Sequence, residues 1–473
     1  MIETSSSSST WAVEALATAE PAVFWSDRPD APEPAGSLRV AQAADLAIVG
    51  GGFTGLWAAI QALEAEPGID VAVLEAERCG FGASSRNGGF CDGSLTHGLE
   101  NGLRHWPDEI ETLQRLGSEN FEGIEATIDL HGIDAGFRRA PEIAVAVAPW
   151  HLSDLEESFA THQTAGDSVE LYDGHQMREH VNSPTFLGGL ARQNDIALVD
   201  PARLCWGLAA AARALGASLF EGTPVVSIED EGDMLRLSTP GGSIRARRVI
   251  VATNAYPAPI RQPHRYLVPV YDYVLMTEPL DAAQLKSIGW EGREGLGDMW
   301  NQFHYFRMTE DDRILWGGHD VKYHYKSAVR SDLDQNEAIH RVLAENFFTT
   351  FPPLDRLRFT HRWGGPIATT TRFAATWGTQ FGGRLSWAAG YTGLGVAASR
   401  FGAATALDLV FDRSTERSEL EMVRKKPFPF PPEPFRWGSV AITKRAIRRA
   451  DRRDGRRGAW LGLLDRLGIG FDA

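Results

Sequence analysis

A block of apolar residues, Leu46-Ala-Ile-Val49, stops at Gly50-x-Gly52-x-x-Gly55 and gives way to Leu56-Trp-Ala-Ala-Ile60. The first block predicts a buried strand and the second a helix that begins at the glycines. A second apolar strand, Val71 to Leu74, ends in Glu75, twenty residues after the last glycine. From Pro107 to Val181 the pattern is helical and charged, interrupted by a strand-like Glu142-Ile-Ala-Val-Ala-Val. Asp200-Pro201 predicts a helix start, with Asp200 as cap and an Ala-rich run to Leu215-Gly216. Thr223 to Ile228 and Val249 to Ala252 read as strands. Between 265 and 360 the alternation of Val268 to Met276, Tyr305-Phe-Arg-Met and Ile314-Leu-Trp predicts an antiparallel sheet. Ser386 to Gly390 is a further strand, followed by a helix through Leu407. No internal repeat is visible.

The first three elements form a complete dinucleotide fingerprint. Gly50 allows the tight turn, Gly52 the approach of a pyrophosphate and Gly55 close packing of helix on strand. Glu75 can accept from a ribose hydroxyl, and the helix N-terminus offers free N–H groups to phosphates. The expected fold class is therefore α/β (α+β, two-domain), a Rossmann-like domain beside a discontinuous antiparallel-sheet domain. Residues 44–106, 197–262 and 361–423 are assigned to the first, and 107–196 and 263–360 to the second, the substrate-binding domain. Residues 1–43, rich in Ser, Ala and Pro, are expected as an arm lying over the surface with Trp11 and Trp25 as anchors. Residues 424–473 are a basic, proline-rich extension.

Composition narrows the function classes. The 473 residues suffice for two or three domains, and a net charge of −15 argues against nucleic acid as a partner. Cys79, Cys91 and Cys205 are too few for a disulfide framework and lack metal spacing, which suits a reducing cytoplasm. No Ser/His/Asp arrangement or HExxH metal signature is present. The N-terminus has no signal-peptide pattern, and the most apolar window, Leu394 to Val410, is broken by Arg400, so no membrane span is expected. The tail helix carrying Lys444, Arg445, Arg448, Arg449, Arg452 and Arg453 allows two readings. It is a solvated face clamped onto the acidic body, or a patch for anionic lipid or a partner.

The fingerprint alone does not separate NAD from FAD. Three further stretches favour FAD: the small-residue loop Cys79-Gly-Phe-Gly-Ala-Ser-Ser-Arg-Asn-Gly-Gly89, the strand end Val249-Ile-Val-Ala-Thr-Asn-Ala-Tyr256, and the junction Ala388-Ala-Gly390-Tyr-Thr-Gly393-Leu-Gly395. A long cofactor with a remote ring end needs a second strand–glycine–helix junction; a single NAD half-site does not.

On these residues the sequence resembles the FAD-dependent D-amino acid oxidase superfamily and, within it, the gamma-glutamylputrescine oxidase-like amine oxidases. The resemblance runs from Ala44 to Phe471. It also includes Tyr305-Phe-Arg-Met-Thr, Arg313-Ile-Leu-Trp-Gly-Gly318 and Trp363-Gly-Gly365. The tail Pro429-Phe-Pro-Pro-Glu-Pro-Phe-Arg436 is similar to an aminophosphonate oxidoreductase branch. The resemblance implies non-covalent FAD at a domain interface, hydride transfer from a carbon next to an amine to flavin N5, and an imine that hydrolyses to an aldehyde. Oxygen is the implied acceptor and hydrogen peroxide the product; a flavin-dependent amine dehydrogenase is the alternative. An NAD-linked dehydrogenase and a non-enzymatic flavoprotein are the remaining rivals.

By position, the implied cofactor residues are Gly50, Gly52, Phe53, Thr54, Gly55, Glu75, Ala83, Ser84, Ser85, Arg86, Asn87, Gly88, Gly89, Val225, Ala252, Thr253, Gly390, Gly393, Leu394, Gly395 and Val396. Tyr305, Arg307, His319 and Arg362 are the candidate catalytic residues, with Tyr271, Tyr273, His304 and Arg372 as further substrate contacts. Three positions depart from the family pattern, one of them Ser85, which replaces a glycine usual in that loop. Where α-amino acid oxidases carry a carboxylate-gripping arginine, this chain has Ile367, which disfavours plain α-amino acids. Where the sarcosine oxidase branch has a lysine that assists reaction with oxygen, this chain has Leu315. Arg307, Arg362 and Arg372 motivate a distant anionic group on the amine substrate.

Overall fold

The computed structural model describes residues 6–260 and 262–470; residues 1–5 of the expected arm and 471–473 of the tail lie outside it. Among the described residues, Gln42–Val49 lies between Val71–Leu74 and Ser243–Val251, parallel to both. Ser218–Phe220 and Leu385–Ala389 extend this sheet in parallel, and three antiparallel strands bring it to eight. Val71–Leu74 is buried throughout, the reason a parallel strand reads as an unbroken apolar run. The helices Phe53–Ala65, Pro201–Ala214 and Gly395–Val410 pack together over one face. Pro201–Ala214 starts as its sequence dictates: Asp200 accepts from the N–H groups of Ala202 and Arg203, both at 3.0 Å.

The second sheet has nine strands. Phe359–Thr369 pairs antiparallel with Val268–Thr277, and the sheet continues through Ile314–Gly318, His304–Met308, Gly295–Asp298, Glu142–Ala146 and Gly188–Arg192. All these pairings are antiparallel except that of Gly295–Asp298 with Glu142–Ala146. One face carries Glu337–Thr350 on an aromatic core that includes Phe306, Trp316, Phe347 and Phe351. The register sets Val274, Gly317, Tyr305, Gly297, Ala144 and Leu190 side by side across the opposite face.

Two local expectations change. The arm is helical at Ser6–Leu16, where Ala12 and Ala15 are buried and the helix packs on Glu337–Thr350. The strand expected from Thr223 begins at Ser227 instead. The Thr223 N–H donates to Glu75 O and its hydroxyl oxygen accepts from the Leu38 N–H at 3.1 Å, so this stretch crosses the sheet end instead of extending it.

Candidate active site

A cavity of about 1280 Å³ runs between the two sheets. Its first end is built by the fingerprint. Gly50 has φ +112°, and a Cβ there would stand 2.8 Å from the Ala252 carbonyl oxygen; one at Gly55 would stand 1.9 Å from Gly50 O. Strand and helix therefore approach as closely as two backbones can. Gly52 caps Phe53–Ala65 with no side chain of its own, and the Phe53 N–H donates to Ser84 Oγ at 2.9 Å. Glu75 accepts from the N–H groups of Gly51 at 2.6 Å and Glu77 at 2.9 Å. Burial pushes its carboxyl up, with those two amides pulling the other way.

Of the expected cofactor residues, Gly50, Gly52, Phe53, Thr54, Glu75, Ala83, Ser84, Arg86, Asn87, Gly88, Val225, Ala252, Thr253, Gly393, Leu394, Gly395 and Val396 line the cavity. Gly55, Ser85, Gly89 and Gly390 stand behind its wall. Arg86 reaches the cavity with its guanidinium already engaged by Asp334 at 2.5 Å and by Gly364 O at 3.0 Å.

The other end lies over the second sheet. Strand Val268–Thr277 turns one phase, Val268, Val270, Asp272 and Val274, toward the cavity. Tyr271 and Tyr273, expected against substrate, occupy the other phase and donate to the Arg330 and Leu333 carbonyls at 3.1 Å. Asp272 was missed. Its signal was a carboxylate among the valines of a buried strand phase. Tyr305, which does line the cavity, donates to Asp272 Oδ2 at 2.6 Å, while the buried Oδ1 has no hydrogen bond. Burial pushes the Asp272 carboxyl up to about 6, against the Tyr305 hydroxyl and the nearby amides of Tyr273 and Gly318. Tyr305 packs on the loop 79–89 so closely that a Cβ at Gly88 would lie 2.8 Å from its ring.

His319 also lines the cavity. His304 lies behind it, ring on ring at 4.9 Å, fixed by Asp298 at 2.6 Å and Asn346 at 2.9 Å. Burial and the neighbouring His304 hold His319 down at about 4, so it is neutral near pH 7.

The three arginines expected to read a substrate anion do not line the cavity. Arg307 donates to Val199 O at 2.7 Å and Gly89 O at 3.2 Å and lies over the Trp25 ring, bracing the end of the loop 79–89. Arg372 donates to the carbonyls of Lys425 at 2.8 Å and Met422 at 2.7 Å, tying down the tail. Arg362 projects from its strand on the face opposite Trp363, and its buried Nε has no partner. Ile367 lines the cavity, whereas Leu315 is buried among Trp25, Val274, Met276 and Trp363. Asp92, Arg192 and Glu142 are cavity-lining residues that sequence reasoning passed over; Arg192 bridges the two carboxylates at 2.7 and 2.6 Å. They come from three separate segments, and no local pattern announces them.

The family described as FAD dependent oxidoreductase (DAO) matches residues 45–409. The chain belongs to this family. The DAO-family chain is 30% identical to gamma-glutamylputrescine oxidoreductase of Escherichia coli (strain K12), over 74% of its own length and 80% of that protein. It is 29% identical to "Probable oxidoreductase OrdL" of Haemophilus influenzae over 75% and 80%. Its fold is similar to glycine oxidase from Geobacillus kaustophilus, with a TM-score of 0.67 at 21% identity over 79% of this chain and 96% of that one.

FAD is the cofactor of this DAO-family oxidoreductase. Its own residues fit the group: a side-chain-free cap and a helix N-terminus for phosphates, Glu75 for the ribose, and backbone from Ala83 to Gly88 on the path to Tyr305. Substituting Glu75 by Ala will loosen FAD roughly tenfold, the worth of one or two hydrogen bonds to a charged acceptor, as read by titrating apoprotein with FAD. Among the described residues no His, Cys, Asp and Glu group is placed to hold a metal, and no helix is long and apolar enough to cross a membrane.

Residues beyond the matched stretch complete the wall. Phe428 to Pro431 and, on the helix Phe435–Asp451, Thr443, Lys444 and Ile447 all line the cavity. Thr371 Oγ1 donates to Phe428 O at 2.9 Å, and Lys444 pairs with Asp320 at 2.6 Å.

Proposed function

We propose that the chain oxidises the C–N bond of a primary or secondary amine whose reacting carbon bears no carboxylate. The imine then hydrolyses to an aldehyde, with O2 as acceptor and H2O2 as product. The observation that carries this reading is Asp272, a buried carboxyl in the cavity wall with an unbonded oxygen, beside the cofactor loop. FAD, when bound, takes a hydride equivalent from the carbon next to nitrogen. Asp272 sets a negative charge in the wall against the incoming ammonium, while Tyr305 holds Oδ2 and so orients the carboxylate. Burial raises the carboxyl and lowers an ammonium beside it. The gap between them narrows, which favours loss of the ammonium proton and leaves the neutral amine that oxidation requires. Neutral His319 adds no positive charge against the ammonium.

Ile367 supports the same substrate class, because an alkyl group cannot supply the forked donors that a carboxylate needs. The distant anionic group is no part of the proposal, since Arg307 and Arg372 are engaged with backbone carbonyls outside the cavity. A second reading, an amine dehydrogenase with another acceptor, has one observation behind it: Leu315 is buried in an apolar cluster and places no amino group in the cavity.

Anaerobic addition of amines to the flavin-loaded protein tests the reading. Bleaching of the flavin absorbance by amines, and not by glycine or alanine, is expected. Equal bleaching by α-amino acids, or by no amine at all, rejects it. Peroxide on readmission of air separates oxidase from dehydrogenase.

A further inference from the structure

The helix Phe435–Asp451 has two faces with different neighbours. Ser439, Val440, Thr443, Lys444 and Ile447 face the cavity. Asp451 accepts from Asn301 Nδ2 at 2.6 Å, and Lys444 donates to Val321 O at 2.6 Å, which clamps the helix to the body. The opposite face is different. Arg445, Arg448, Arg449 and Arg452 converge on one shallow surface pocket, and all four are exposed. Arg448 pairs with Asp320. Spacings of three and four residues set these guanidinium groups one turn apart, where like charges repel.

The apolar residues around this ridge are as unusual as its charge. Phe435 is 71% exposed, Trp437 50% and Ile442 48%; Leu463 of the helix Ala459–Arg466 and Leu467 that caps it, at 47% and 55%, are exposed as well. Residues 424–470 carry thirteen Lys or Arg against four Asp or Glu, in a chain whose net charge is −15. The clamp onto the acidic body, one of the two readings of this tail, accounts for the inner face and for Arg448, but not for Arg445, Arg449 and Arg452. The outer face joins a basic ridge to aromatic and aliphatic side chains held in water, the pattern of a helix that lies in a membrane interface.

We propose that the outer face of Phe435–Asp451 docks on an anionic lipid surface. Arg445, Arg449 and Arg452 meet headgroup phosphates, and Phe435, Trp437 and Ile442 enter the headgroup boundary. A bilayer fits better than a free phosphate because a phosphate ion offers nothing for the apolar side chains. The net negative charge of the remainder repels an anionic surface and so turns this segment toward it. Docking then sets the bilayer against the helix that walls the cavity.

The test is co-sedimentation of flavin-loaded, full-length protein with phosphatidylcholine vesicles, with and without phosphatidylglycerol. The expected result is binding only to the anionic vesicles, release at high salt, and more than tenfold loss in the R445E/R449E/R452E variant, whose flavin spectrum and turnover in free solution stay unchanged. A second variant, F435S/W437S, separates apolar insertion from charge and is expected to weaken binding at low salt. Equal partition to neutral and anionic vesicles overturns the proposal, as does wild-type binding by the arginine variant. Displacement of the protein by inorganic phosphate at matched ionic strength assigns the ridge to free phosphate and also overturns it. So does self-association that the arginine variant abolishes while vesicles are ignored.

Discussion

Replacing Asp272 by asparagine will lower kcat/KM for the amine substrate about 100- to 1,000-fold, the penalty for removing one partner of a buried charge pair. Asparagine keeps the volume and can still accept from Tyr305, so the loss reports charge and not packing. The pH profile carries the second half of the result. With its carboxyl raised to about 6, Asp272 is largely protonated below that pH and cannot pair with an ammonium. Above it the carboxylate is present. In the wild type kcat/KM will therefore rise with pH through about 6, and in D272N that limb will vanish. Tyr305→Phe, which leaves the carboxylate but removes the 2.6 Å hydrogen bond, will produce a smaller loss, about tenfold, with the limb retained. A D272N enzyme with an unchanged profile would sink the assignment, whatever its rate.

Substituting Gly55 by Ala will yield protein that does not retain FAD. The added Cβ would stand 1.9 Å from Gly50 O and 3.1 Å from its carbonyl carbon, with no flexible side chain to yield. Helix Phe53–Ala65 must move off the strand, and its N-terminus moves with it. Forced overpacking costs about 1–3 kcal/mol and more where backbone is the obstacle, which is at least a tenfold loss in affinity for a group held at that N-terminus. Flavin absorbance per protein after purification is the readout, together with the thermal midpoint. Gly462→Ala, at a helical glycine with nothing within 4 Å of its Cβ position, is the matched control and will purify yellow.

The two substitutions mark how far the chain could be read without its fold. Gly55 was legible because its role depends on a strand, a turn and a helix contiguous in sequence. Asp272 was visible as a residue but not as a site. Only the alternation of Val268, Val270, Asp272 and Val274 toward one face, and the arrival of Tyr305 thirty-three residues away, make it one. The arginines mislead for the complementary reason. A guanidinium suits a carboxylate and a cluster of backbone carbonyls equally well, and composition does not say which will be nearby. Arg307 sits below Gly89 and Val199, and Arg372 beside Lys425 and Met422, because of strand pairing and tail packing that no local pattern encodes.

By itself the sequence determined the strand–glycine–helix half of this protein: a helix end capped without a side chain, an acid at the next strand, and an alkyl side chain at Ile367 that gives no grip on a carboxylate. These are matters of backbone freedom, period and side-chain chemistry, and they act over a few residues. The tertiary structure alone decided which of the expected tyrosines reaches the cavity, that a carboxyl lines it there, and that the C-terminal helix closes the wall with one side and shows its arginines to solvent with the other. Those outcomes depend on burial and on partners brought from distant segments, and burial is a property of the packed chain, not of any residue within it.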